Sequence, residues 1–154
     1  MEAGSIRLKN LQAILFKNII DISIDTIMWW LIGYGIAFGN QSNFFLGAEF
    51  FAGTNIRDYA NFLFQWAFAG TSATIVSGCI AERMTIHSYL IFSAILVSFI
   101  YPIIVHWTWA EGWLYNLGYR DFAGGGIVHI TGGSAGLFAT IILGARIDRF
   151  SPTK

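Results

Sequence analysis

Four long apolar runs separated by short polar stretches set the pattern of this chain. They run from about Phe16 to Phe38, Ala60 to Ala81, Ser88 to Val105 and Phe122 to Gly144. At ~1.5 Å per helical residue, each is long enough to cross a hydrocarbon core about 30 Å thick. The pattern therefore predicts an all-α fold, a polytopic transmembrane bundle of about four spans. Lys17, Asp21 and Asp25 fall near the predicted start of the first run. Carboxylates there are favoured by the helix dipole, which predicts a structural role for the two acids. Residues 39–59 read as a loop rich in Gly, Asn and Phe. The stretch His106-Trp107-Thr108-Trp109-Ala110-Glu111-Gly112-Trp113 has the composition of a membrane interface.

Composition supports a membrane protein: 55% of residues are hydrophobic, 17% aromatic and 12% charged, against about 25% charged in soluble domains. Net charge is zero, but its distribution is uneven. Arg7, Lys9, Lys17, Arg83, Arg146, Arg149 and Lys154 fall on one predicted side, whereas Arg57 and Arg120 fall on the other. By the positive-inside rule, both ends of the chain face the cytoplasm. The opposite mouth then collects Glu49, Asp58, Glu111 and Asp121 among aromatic residues, a setting that favours cations. It also holds a sequon, Asn40-Gln41-Ser42. The N-terminus lacks the layout of a signal peptide. The single cysteine, Cys79, lies in an apolar run and supports neither a disulfide nor a metal site. No hydrolase, nucleotide-binding or nucleic-acid motif stands out, and no cofactor is expected.

Candidate chemistry concentrates between Asp121 and Gly136. In a regular helix, Gly125, Gly126, Gly132 and Gly133 are the neighbours of His129 three and four residues away, so the imidazole stands on a bare face. That face is either a close helix contact or the wall of a narrow passage. With Asp121 as N-cap, eight residues of helix place the ring roughly 12 Å along the span. Gly132-Gly133-Ser134-Ala135-Gly136 matches G-x-S-x-G, but mid-helix its better meaning is Gly132-x-x-x-Gly136 packing. Phe64 and Phe68, four residues apart, put two rings on one face of the second span, suited to collecting a small cation or to plain packing. Gly70, Thr74, Ser77, Gly78 and Ala81 form a small-residue stripe, and Glu82-Arg83 closes the span as an interfacial pair. A haem held between His106 and His129 is a competing redox reading.

Three stretches resemble the ammonium transporter family of Amt type: Phe64-Gln65-x-x-Phe68-Ala69 through Ile75-Val76-Ser77-Gly78-x-x-Ala81-Glu82-Arg83, Tyr101-Pro102-x-x-x-His106-Trp107-x-Trp109, and Asp121-Phe122-Ala123-Gly124-Gly125-x-x-Val128-His129. The resemblance implies transport of ammonium or ammonia across the bilayer. Phe68 is then a ring of the external gate with Phe64 one turn behind it, and Trp109 lines the vestibule that recruits the cation. Asp121 is the acid near the pore mouth, and His129 is the first of two pore histidines. The family implies about eleven helices in two inverted halves, a homotrimer and a plasma-membrane location. Residues 1–154 correspond to the end of the family's first helix through its fifth. The chain is therefore expected to be a partial domain that does not conduct alone and that needs a complementing half. The alternative is an ammonium sensor or a non-conducting partner subunit.

Overall fold

The computed structural model describes residues 2–39, 44–147 and 149–150; the Asn40-Gln41-Ser42 triplet lies outside them. Among the described residues every regular element is helical. Among the described residues four helices are long and apolar enough to cross a membrane: Leu8–Phe38, Tyr59–Ile80, Ile86–Asn116 and Gly125–Leu143, the first to fourth spans. The first begins well before Phe16, because Ile14 and Lys17 are already buried against the bundle. Asp21 and Asp25 consequently lie deep within that span, not in its first turn, and the dipole argument does not apply to them. Both are buried and bonded to the third span: the Tyr89 hydroxyl donates to Asp21 Oδ2 at 2.6 Å and the Ser93 hydroxyl to Asp25 Oδ1 at 2.7 Å.

Three spans contain a wider π turn, at Trp29–Gly33, Leu96–Ile100 and Gly125–Ile130. The first two lie against one another. A Cβ added to Gly33 would come within 2.6 Å of the Val97 carbonyl oxygen and 2.7 Å of the Trp29 ring. Around this crossing the core is aromatic: Trp29 is fully buried, with Tyr34 edge-on at 5.9 Å and Tyr101 tilted at 6.2 Å. His106 is buried here too, its Nδ1 donating to the Ala37 carbonyl at 2.9 Å. The third span stays helical through Thr108, so His106 belongs to a helix contact and not to an interfacial belt.

The fourth span packs on the second through its glycines. A Cβ at Gly132 would meet the Ser72 carbonyl oxygen at 2.7 Å, and one at Gly136 would meet Cys79 Sγ at 2.7 Å. The Gly132-x-x-x-Gly136 spacing thus serves close helix approach. At the span ends, Asp58 Oδ1 accepts the Asn61 N–H and Thr85 Oγ1 the Ser88 N–H, so orphan donors are capped. Asp58 is spent on its own helix and does not serve as a free mouth acid.

At one end of the bundle, Glu82 joins three segments. Its side chain is only 3% exposed and pairs with Arg7 and Arg146, each at 3.2 Å. The expected pairing with its neighbour Arg83 does not occur; Arg83 donates to the Gly144 carbonyl at 3.1 Å. The Asn10 amide, against the cost of burial, and then the Arg7 backbone N–H and guanidinium hold the Glu82 carboxyl down at about 2.

Two outcomes follow from this packing. Gly132→Val should lower unfolding stability in detergent by about 1–3 kcal/mol through overpacking, whereas Gly133→Ala, with no atom within 4 Å of the new carbon, should leave it unchanged. Because the Glu82 carboxyl is depressed, its stabilisation is complete above pH 4.5 and is lost as pH falls toward 2. The melting temperature should drop across that window, and Glu82→Gln should flatten that part of the acid dependence.

Candidate functional site

The fourth span starts from an unusual cap. Asp121 Oδ1 accepts the N–H groups of Gly124 and Gly125 at 2.9 and 3.0 Å, and Oδ2 those of Gly126 and Ile127, both at 2.8 Å. The unpaired donors of a helix start are thus gathered on one carboxylate. Burial alone pushes this carboxyl up, but the four N–H groups together outweigh it and hold Asp121 below the ordinary carboxylate range. Gly124 sits at φ 78°, a left-handed turn that suits glycine. With Asp121 committed to the backbone, two of the four mouth acids counted from the sequence, Asp58 and Asp121, are helix caps.

Trp109, at the end of the third span, is fastened to the same cap. Its Nε1 donates to the Asp121 backbone oxygen at 2.7 Å, and its ring lies against Gly124, where a Cβ would approach within 3.2 Å. Phe68 meets the Trp109 ring at 5.5 Å and 61°. Phe64 follows Phe68 at 4.9 Å and 80°, so these rings sit edge to face instead of stacked. Phe64 is 59% exposed. The second and third spans therefore contribute one continuous row of rings: Phe64, Phe68 and Trp109. Beside it, Trp109 and Asp121 line a cleft of about 330 Å³ with Tyr115, Tyr119 and Arg120. The Arg120 guanidinium rests 3.7 Å from the centre of the Tyr115 ring and donates to the carbonyls of Tyr115 and Tyr119.

His129 lies on the exposed side of the π turn. Its Nδ1 reaches the Gly124 carbonyl at 3.2 Å, an oxygen that also accepts the backbone N–H groups of Val128 and His129. A carbonyl only accepts, so Nδ1 is the donor, and in the neutral ring Nε2 keeps a lone pair. The helix begins at Gly125, not at Phe122, so the ring lies four residues along it and the 12 Å expectation is too long. The four-glycine bare face is also corrected. Gly125 and Gly133 have no atom within 4 Å of an added Cβ, but Gly126 lies beneath the Tyr119 hydroxyl and Gly132 packs on the second span. The wider π register separates residues that an α-helix would align.

The site thus brings together Phe64, Phe68, Trp109, Asp121 and His129. His106 does not join them, which leaves the haem reading without facing ligands: one imidazole is buried against Ala37 and the other is exposed. Sequence reasoning missed Tyr119 and Gly124. The sole signal for either was the glycine run, which leaves room for a ring and a hydroxyl to approach backbone.

Comparison with known proteins gives the family and the fold. The family model described as Ammonium Transporter Family matches residues 1–154. Ammonium transporter 1 member 1 of Arabidopsis thaliana is 44% identical over 96% of this chain, and ammonium transporter 3 of Dictyostelium discoideum 40% identical over 98%. The chain spans 32% and 36% of those relatives' lengths, about a third. Among solved structures, the Sensor Amt Protein superposes with a TM-score of 0.94 at 35% identity, covering 98% of this chain and 40% of that one. The Saccharomyces cerevisiae Mep2 crystal structure gives a TM-score of 0.78 at 31% identity, covering 88% of this chain and 33% of its own.

Asp121→Asn replaces one carboxylate oxygen, which accepts two of the four N–H groups, with an amide donor facing them. It should cost roughly 2 kcal/mol, read locally as faster amide exchange at residues 124–127. In the parent chain the same amides should stay protected above the usual aspartate range and open as pH falls below it, because a depressed carboxyl loses its stabilisation on protonation.

Proposed function

The chain belongs to the ammonium transporter family, and from that premise we propose that it supplies the outer vestibule and the first pore histidine of a path for ammonium and ammonia. Its four apolar spans make it a multi-pass membrane protein. We place it in the plasma membrane, with the Glu82 end and both termini in the cytoplasm.

The observation that carries the reading is the Phe68–Trp109 ring contact, tied through Asp121 and Gly124 to the imidazole of His129. An ammonium ion is attracted to ring faces, by about 2 kcal/mol when desolvated. The same rings exclude water from the space behind them. Potassium, similar in size, is drawn to the rings equally well. Selectivity then rests on His129: a lone pair on Nε2 accepts an N–H from ammonia or ammonium, and potassium has none to offer. In this scheme Phe64 and Phe68 form the gate, Trp109 the recruiting wall, His129 the acceptor along the path, and Asp121 the group that positions both Trp109 and His129. The exposed side of His129 is where complementing helices, or a further copy in a trimer, complete the passage. A second reading, an ammonium sensor or non-conducting partner, draws on the close likeness to the Sensor Amt Protein.

Residues 1–154 exchanged for the matching stretch of a full-length ammonium transporter should preserve uptake. In that chimera, Trp109→Leu should raise the ammonium concentration for half-maximal uptake about tenfold, the equivalent of about 1.4 kcal/mol. His129→Ala should change the rate or admit potassium. Unchanged uptake together with unchanged potassium exclusion would sink the assignment of His129. Tight ammonium binding without any flux would favour the sensor.

A further inference from the structure

A second group of ionisable side chains is buried away from the aromatic row, between the first three spans. Lys17, Asp21 and Asp25 follow at four-residue steps, so they project from one stripe of the first span. All three are buried, with 8%, 0% and 1% exposure. Lys17 Nζ bonds to Ser77 Oγ on the second span and stands 4.5 Å from the centre of the Tyr89 ring on the third. Tyr89 in turn donates to Asp21. The stripe thus carries one ammonium group for two carboxyl groups.

Asp25 is the one left over. Its Oδ1 accepts from Ser93, but its Oδ2 is buried without a hydrogen-bond partner. That oxygen faces Gly70 of the second span, 3.8 Å from where a Cβ would stand. Beside it is a cavity of about 230 Å³, whose wall also includes Trp66, Thr71 and Thr74. Trp66 Nε1 is likewise buried and unpartnered. The ionisable groups turned toward Asp25 are Asp21, with Lys17 a turn beyond, from its own span and Tyr89 from the third. The second span contributes Trp66, Gly70 and Thr74, none of them charged. An ionised carboxylate held there, with one hydroxyl donor and a second acid nearby, would be a buried charge without a counter-ion, which costs several kcal/mol. Adding one proton to Oδ2 removes the charge, turns the unmet acceptor into a donor, and leaves Lys17 and Asp21 balanced.

We propose that Asp25 is a proton-binding site within the membrane-spanning bundle, holding its proton on Oδ2 at neutral pH and separate from His129. The step is the uptake of one proton by a carboxylate to give a carboxylic acid, with no other bond made or broken. The test is infrared spectroscopy of this chain carrying carboxyl-labelled aspartate in lipid nanodiscs at neutral pH. A label-shifted carboxylic-acid C=O band is expected, lost in Asp25→Asn and kept in Asp21→Asn and His129→Gln. The amide is neutral and isosteric with the protonated acid, so Asp25→Asn should fold as the parent does. Absence of the band in the parent, or its survival in Asp25→Asn, overturns the proposal. So does its loss when potassium, sodium or ammonium is raised at fixed pH, which would assign the site to a cation. The parent spectrum alone decides the first and last of these outcomes, whatever becomes of the variants. None of them bears on the aromatic row or on His129.

Discussion

The carboxylate of Asp121 receives four successive backbone N–H groups, and the geometry of the whole candidate site descends from it. Water is the usual partner for the open end of a helix, but it is scarce next to hydrocarbon, so the protein must supply an acceptor of its own. Asp121 does so with both oxygens. The same residue's carbonyl fixes the Trp109 indole, and the loop it organises presents the Gly124 carbonyl to His129. One residue thereby sets the distance between an aromatic wall and an imidazole that come from different spans. Its charge is met by four backbone N–H groups, so Asp121 is not a free acid beside the ring faces.

The rest of the bundle obeys the same rule with different chemistry. Where helices must touch, glycines let backbones meet, as at Gly132 and Gly33. Where polar groups are buried, each span offers donors to the next: Tyr89 and Ser93 to the acids of the first span, and Lys17 to Ser77. At the basic end, Glu82 binds the segment before the first span to the segment after the fourth. Apolar packing alone gives helices in lipid little preference for one neighbour over another. These polar ties supply that preference, and they hold the spans that carry Phe68, Trp109 and His129 in register.

Much of this was legible from residues alone. The four spans showed in hydropathy, the Gly132–Gly136 contact in its spacing, and the proximity of Phe64, Phe68, Trp109, Asp121 and His129 in the family likeness. What failed was anything that depended on which helix lies opposite. Hydropathy marks where a helix is apolar but not where it begins, so Asp21 and Asp25 were placed near an end they do not occupy. His106 bonds to a backbone carbonyl of the first span, which leaves no trace in side-chain identity. Glu82 was matched to its chain neighbour because its true partners, Arg7 and Arg146, are distant in sequence. The open surface around His129 was half right, since a regular helical period does not hold across residues 125–130.

The two adjoining π turns at Trp29–Gly33 and Leu96–Ile100 carry an implication for how such a chain changes over generations. Each accommodates an extra residue without breaking its helix. A deletion in one removes the bulge and returns that turn to the α register, so the helix beyond it keeps nearly the same face. The other bulge is then left opposite a surface that no longer matches it. Loss at one place therefore disturbs the packing of the other while leaving the spans in register.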